Sequence, residues 1–246
     1  MSPLKQSTVA NRLLRTMSAE NFQILAPDLE ALDMPCDLIL FEPQQIISHV
    51  YFVESGIVSV VAQRRDGQLV EAGIYGRDGL GDVAIILATD RSSHRNFVQV
   101  AGSGFRIEAA ALVLAMHGSP GLQRLLLHYA HVFMIQVSQT ALSNGGDVIS
   151  ERLARWLLMC NDRIDGDIPI THKFLSIMLG VRRASVSDNI RMLESQELVS
   201  TRHGSITVRD RVGLERLAGV SYGLPEAEYR RLIDSAKPGD GNIEFS

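Results

Sequence analysis

Cysteine is scarce in this 246-residue chain, with Cys36 and Cys160 the only two. Two thiols cannot build a disulfide framework, nor supply four thiolates to zinc or an iron–sulfur cluster. Long apolar runs are also missing, and none approaches the roughly 18 residues that a membrane helix needs. The opening stretch MSPLKQSTVANRLLRTMSAEN contains no apolar core of a secretory signal. A reducing, cytoplasmic setting without a membrane partner is the expectation. What is present is ordinary: 46% hydrophobic and 21% charged residues exclude a disordered or collagen-like chain. The length suits two domains.

The net charge of −4 hides an asymmetry. Residues 171–211 hold seven cations (Lys173, Arg182, Arg183, Arg191, Arg202, Arg209 and Arg211) against four anions, Asp188, Glu194, Glu197 and Asp210. That segment is basic on an acidic body, which points to a polyanionic partner.

Along the chain, Leu13, Leu14, Met17, Phe22, Leu25 and Leu29 recur near helical spacing, so 11–32 reads as short helices. From Leu38 the texture becomes β-branched and aromatic. Tyr51-Phe52-Val53, Ile57 to Val61, Leu69-Val70, Asn96–Val100 and Gly104–Ile107 read as strands, with turns at Glu54-Ser55-Gly56 and Arg65-Asp66-Gly67. Strands at this spacing make a small barrel or sandwich. Ser119-Pro120 then opens a long helix closed by Asn144-Gly145-Gly146. Leu122, Leu126, Tyr129, Phe133, Gln136 and Thr140 form a heptad-like seam on it, with Leu125, Val132, Ile135 and Val137 off the seam. Two apolar faces fit a helix lying on its own barrel and pairing with a second subunit, which puts Gln136 and Thr140 near the subunit seam. Asn144 to Asp147 is a hinge. The following amphipathic helix carries Leu153, Trp156, Leu157 and Cys160 on one face, where Trp156 and Cys160 are core residues.

The segment ITHKFLSIMLGVRRASVSDNIRMLESQELVSTRHGSITVRDR carries the chemistry. Thr171 is an N-cap for a short helix. Gly180 sits where a tight turn needs positive φ, and a second helix buries Val186, Ile190 and Leu193. Its opposite face shows Arg183, Ala184, Ser187, Asp188 and Arg191. Strands Glu197 to Ser200 and Ile206 to Val208, joined by a turn at Arg202-His203-Gly204-Ser205, add a wing. A short helix, a glycine turn, a helix with a polar outer face and a basic wing form a winged helix-turn-helix.

Gly180 to Val186 through Arg191-Met192-Leu193-Glu194 resembles the recognition helix of the cyclic-AMP receptor/fumarate–nitrate regulator (Crp–Fnr) superfamily. Tyr51 to Val58 is similar to that family's cyclic-nucleotide-binding barrel signature, the long helix to its dimerisation helix, and Glu151-Arg152-Leu153-Ala154 to its first DNA-domain helix. The resemblance covers about residues 20–218, and the stretch PEAEYRRLIDSAKPGDGN beyond it has no counterpart. It implies an α+β fold with four parts. These are N-terminal helices and a cyclic-nucleotide-binding-like β-barrel (a double-stranded β-helix, residues 1–118), a dimerisation helix and hinge (119–146), a winged helix-turn-helix domain (147–222) and a tail (223–246). It implies a bacterial, non-enzymatic regulator that binds a palindromic double-stranded operator as a homodimer and engages RNA polymerase. Arg183 falls on the family's guanine-reading arginine, whose fork matches guanine O6 and N7. Thr171, His172, Ser185 and Arg202 are placed for phosphates, and Arg182, Ser187, Asp188, Arg191 and His203 complete the candidate surface. Ala184 and Asp188 stand where the cyclic-AMP receptor has a glutamate and an arginine, so the half-site differs. Arg182 replaces a capping serine. Asp188 either accepts from a cytosine amino group, repels phosphate, or is simply solvated.

The family's barrels hold a nucleotide with a Gly-Glu pair and an Arg-Ser pair. Gly81-Asp82 resembles the first with a shorter carboxylate, Arg95-Asn96 the second, and Val137-Ser138 stands where the receptor offers Thr-Ser to the purine. Gly81, Asp82, Arg95, Asn96 and Ser138 are thus the effector candidates. The half-kept cassette argues against cyclic AMP and leaves a small anionic effector open. An oxygen-sensing iron–sulfur cluster lacks its cysteines. Haem lacks a clear axial ligand, since His49, His94, His117, His128 and His131 are scattered, with only His128 and His131 three apart on a helix.

Two rivals are weighed. A cupin-type barrel enzyme needs a His-x-His metal pair, which the chain lacks. Gly102-Ser103-Gly104 is no nucleophile elbow, and no Walker loop or dinucleotide fingerprint occurs. The other rival is a cyclic-nucleotide-like sensor whose winged domain binds protein rather than DNA.

Overall fold

The computed structural model of the protein describes residues 4–63, 65, 67 and 69–235. Asn11 and Ser18 cap the helices they precede, accepting from Leu14 N and Asn21 N. The opening segment therefore folds as α1 (Arg12–Thr16) and α2 (Ala19–Leu25). The helical expectation overshoots at its end, because Glu30–Met34 is a strand, β1, paired along β5 (Arg95–Glu108). A free sheet edge outweighs local helical spacing there. Asn11 is fully buried and donates through Nδ2 to the carbonyls of Val53 (2.9 Å) and Gly79 (2.7 Å), which stitches the N-terminal segment to the barrel.

The sheet runs β1-β5-β3-β4, all antiparallel, with β2 (Ile39–Phe41) also on β5; β3 is His49–Gln63 and β4 is Leu69–Tyr75. Two sequence expectations are corrected. Glu54-Ser55-Gly56 is not a turn. Strand β3 continues through it while its register against β5 shifts. Gly56 has φ +90°, and a Cβ there would strike the Val100 carbonyl, so glycine lets the strand bulge instead of ending. In the same way, Asn96–Val100 and Gly104–Ile107 are parts of one strand. The expected turn at Arg65-Asp66-Gly67 lies partly outside the described residues, at Asp66.

After α3 (Ala109–Gly118), Ser119 caps α4 (Pro120–Gly146), whose last turn contains Gly145 and Gly146 instead of stopping before them. Most of the heptad-like seam faces the chain's own core. Leu122, Leu126, Tyr129 and Gln136 are buried in the chain's own core. Gln136 Oε1 accepts from Ile74 N (2.8 Å), and Thr140 Oγ1 accepts from Arg155 Nη2 (3.1 Å). β4 on one side and the returning C-terminal segment on the other use up this face, and Arg155 of α5 (Ile149–Asn161) takes its polar end. The large apolar residues left exposed on α4 are Leu127, Met134 and Leu142.

Residues 153–160 of α5 are all buried, because α5 has two partners. One face packs within the C-terminal domain. The other shares an apolar cluster with Ile57, Ile74 and Val100 of the barrel. Beyond α5 come β6 (Ile168–Pro169), α6 (His172–Met178), α7 (Arg183–Ser195), β7 (Val199–Arg202), β8 (Ser205–Val208) and α8 (Arg211–Ala218). The chain then turns back. α9 (Leu224–Tyr229) and a π-helical turn, Arg230–Asp234, lie on α4, with Tyr229 and Ile233 buried in the barrel-side core. The rest of the unassigned tail, 236–246, lies outside the described residues. Among the described residues no helix is long and apolar enough to cross a membrane.

Candidate nucleic-acid interface and effector pocket

The turn between α6 and α7 is built as its residues require. Thr171 accepts from Phe174 N to start α6. Gly180 takes φ +64°, and Arg182 is the N-cap of α7 without a side-chain cap bond. Val186, Ile190 and Leu193 are buried in the α7 interface. That orientation leaves Arg182, Arg183, Ala184, Asp188 and Arg191 exposed along a helix of roughly 20 Å. The guanidinium-bearing face is turned to solvent and not into the chain.

Of the candidate DNA contacts, Thr171, Arg202 and His203 are also exposed, the last two at the wing tip, where His203 has φ 42°. Ser185 is half-buried, and its carbonyl accepts from Asn189 Nδ2. His172 and Ser187 are engaged with each other: Nδ1 lies 3.0 Å from Ser187 Oγ, which also donates to the Arg183 carbonyl. They join α6 to α7. Asp188 is held by Arg191 of the same helix at 3.0 Å, with both side chains largely exposed, so part of its charge is neutralised locally.

Two positioning residues were not singled out from the sequence. Glu194 Oε1 accepts from Thr201 N (2.9 Å) and Thr201 Oγ1 (2.7 Å), which fixes the wing against the end of α7. Arg152 Nη2 donates to Asn144 Oδ1 (2.7 Å) and to the Leu179 carbonyl, joining the end of α4 to the helix-turn-helix corner. Burial lowers the Arg152 pKa. A carboxylate next to the last buried position of a recognition helix is the signal that points to Glu194. Nothing in the sequence marks the distant partner of Arg152.

The effector candidates separate. Asp82 and Asn96 line a small pocket with Tyr75, Tyr129 and Phe133, and Gly81 abuts it, close to the Tyr75 hydroxyl. Arg95 does not line it, because its Nε is bound to Glu42 at 2.9 Å. Ser138 is exposed on α4 and donates to the Met134 carbonyl. The pocket measures about 50 Å³, against the roughly 300 Å³ at which small-molecule sites begin. Tyr75 Oη, Asp82 Oδ2 and Asn96 Oδ1 are buried there without protein partners, so the space suits water, not a nucleotide. Among the described residues no cluster of three or more metal-ligating side chains occurs. His128 Nδ1 instead meets the Leu232 carbonyl at 3.2 Å.

Residues 151–217 match the Crp-like helix-turn-helix domain. Solved structures of similar fold include FixK2 from Bradyrhizobium japonicum, at TM-score 0.68 and 16% identity over 78% of this chain and 98% of that one. The c-di-GMP-responsive global regulator CLP of Xanthomonas campestris gives TM-score 0.62 and 15% identity over 78% and 100%. A CRP-family transcriptional regulator from Thermus thermophilus gives 0.61 and 18% over 77% and 96%. No curated protein matches in sequence. At these identities the likeness establishes the fold and not the ligand.

Proposed function

We propose that this chain, a divergent member of the Crp–Fnr superfamily by its Crp-like helix-turn-helix domain and its fold, is a cytoplasmic, sequence-specific DNA-binding regulator without enzymatic activity. The observation that carries this is the exposed face of α7, where Arg182, Arg183 and Arg191 stand opposite the buried Val186, Ile190 and Leu193. Arg183 reads a guanine edge. Thr171, Arg182 and the wing residues Arg202 and His203 hold phosphates, and Ser185 joins them from its half-buried position. His172 and Ser187 act chiefly by fixing α6 to α7.

The active form is a homodimer on a roughly palindromic operator, with half-sites one helical turn apart. The partner covers the stripe Leu127, His131, Met134, Ser138 and Leu142, whose exposed apolar members meet no covering element among the described residues. In this reading 1–118 senses, 119–146 dimerises and 147–222 binds DNA, with RNA polymerase as the downstream partner.

The test is selection of bound duplexes from a random library, followed by mobility shift at several salt concentrations. A regulator enriches a palindrome and loses affinity steeply as salt rises. No enrichment, or a salt-independent shift, overturns the reading in favour of a protein-directed output.

A further inference from the structure

A second cavity of about 500 Å³ opens where the barrel, α4, the C-terminal domain and the returning tail meet. Its size falls within the range of small-molecule sites. It shares only Tyr129 and Phe133 with the barrel pocket. Its fourth wall is the segment from Gly223 to Arg230, which lies outside the helix-turn-helix match and is held down at several points. Tyr229 donates to the Asp78 carbonyl (2.7 Å), its ring lies under the Arg12 guanidinium (4.4 Å), and Arg12 pairs with Asp234.

The lining has a definite chemistry. Val132, Phe133, Pro225 and the tyrosine rings offer an apolar slot. Most of the charges are spent on one another: Arg163 on Asp78 (2.6 Å) and Arg211 on Asp162 (2.8 Å) and Glu215 (2.9 Å). Two donors are left over. Arg230 is exposed at the rim with no bonded side-chain partner among the described residues. Gln136 has committed only its oxygen, to Ile74 N. On the tail side, burial pushes the Glu226 carboxyl pKa upward. A ligand without an acceptor leaves Arg230 and Gln136 unmet, and a multiply charged anion finds only Arg230 not already paired, since Arg12, Arg163 and Arg211 are held by carboxylates.

We infer that this junction cavity binds a small organic monoanion, a carboxylate on an aromatic or apolar body, with the carboxylate at Arg230 and the body against Tyr129 and Phe133. A ligand there touches the sensor barrel, the turn after α5 and α8 at once, so it bears directly on how the DNA-binding domain is held.

The experiment is thermal shift and calorimetric titration of the full chain with benzoate, 4-hydroxybenzoate and indole-3-acetate at up to roughly millimolar concentration. Inorganic phosphate and cyclic AMP serve as comparisons. Saturating carboxylate is expected to raise the Tm by about 5 °C. Arg230→Ala, at an exposed position that folding does not need, weakens binding about tenfold, whereas Asp82→Asn in the barrel pocket leaves it unchanged. The inference is overturned if no carboxylate binds, if Arg230→Ala binds as well as the parent, if Asp82→Asn abolishes binding, or if phosphate binds as tightly. The readout needs no DNA, so its failure leaves the DNA-binding reading intact.

Discussion

Trp156 Nε1 donates to Glu71 Oε1 at 2.8 Å, and both side chains are buried. The bond joins strand β4 of the barrel to helix α5 of the C-terminal domain, a contact between residues 85 positions apart. Glu71 Oε2 meets Ser59 Oγ (2.9 Å), which also lies 2.5 Å from Gln99 Oε1. One hydroxyl hydrogen cannot serve two acceptors, and Gln99 Nε2 is otherwise buried without a partner, so the Gln99 amide turned to donate to Ser59, with Ser59 donating to Glu71, balances the network. Burial pushes the Glu71 carboxyl up to about 7, against the bonds from Ser59 and Trp156.

Domain docking should therefore depend on pH. The folded-state pKa lies above the unfolded value, so the native state binds more protons between about 4.5 and 7. Stability is then highest on the acid side and falls as pH rises through 7, by up to about 3 kcal/mol. Melts followed by the fluorescence of Trp156, the sole tryptophan, should give a lower Tm at pH 8 than at pH 6. Glu71→Gln keeps the acceptor and should flatten the profile; an unchanged slope would assign the effect elsewhere.

On the proposed reading, base reading and phosphate holding should separate by mutation. Arg183→Ala should cost about 1–3 kcal/mol on the operator and relax preference at one base pair. Arg202→Ala should weaken operator and random duplex alike and reduce the salt slope. Equal losses on both duplexes for Arg183→Ala would remove its base-reading role.

Glu194→Ala leaves Thr201 N–H and its hydroxyl without their acceptor, at a cost of about 1–3 kcal/mol. Amide exchange at Thr201 should accelerate while that of α5 stays slow. Protection unchanged at Thr201 would show that the wing holds itself.

Met134 is 56% exposed at the middle of the α4 stripe. If the proposed homodimer uses this stripe, Met134→Asp should be monomeric by light scattering at micromolar concentration where the parent is dimeric, with the fold intact by circular dichroism. Gln136→Glu, behind the stripe, should act on stability and not on association. A Met134→Asp protein that remains dimeric would move the interface to another surface.

The returning tail is structural as well as a wall. Tyr229→Ala should cost about 3–5 kcal/mol through the cavity it leaves. Tyr229→Phe, which loses only the bond to Asp78, should cost about 1 kcal/mol. Denaturant melts distinguish the two, and equal effects would mean that packing of the ring contributes nothing.

Much was legible before folding. The capped start of α6, the glycine turn, the 4–3 spacing of Val186, Ile190 and Leu193 and the wing are local patterns, and local hydrogen bonding and burial realise them directly. The Gly56 bulge was not, because glycine serves equally in a turn or inside a strand, and only β5 alongside decides which. The α4 seam was misassigned for a related reason. Periodicity marks a face that wants burial but not what buries it.

The order of residues by itself determined the element types, the recognition-helix face and the basic segment, since each depends on neighbours within a few positions. Tertiary structure decided what those faces meet: Gln136 against Ile74, Glu71 against Trp156, and the tail closing a cavity with Arg163 and Tyr129. Those pairings link residues 62 and 85 positions apart, and no local pattern encodes the geometry that brings them together.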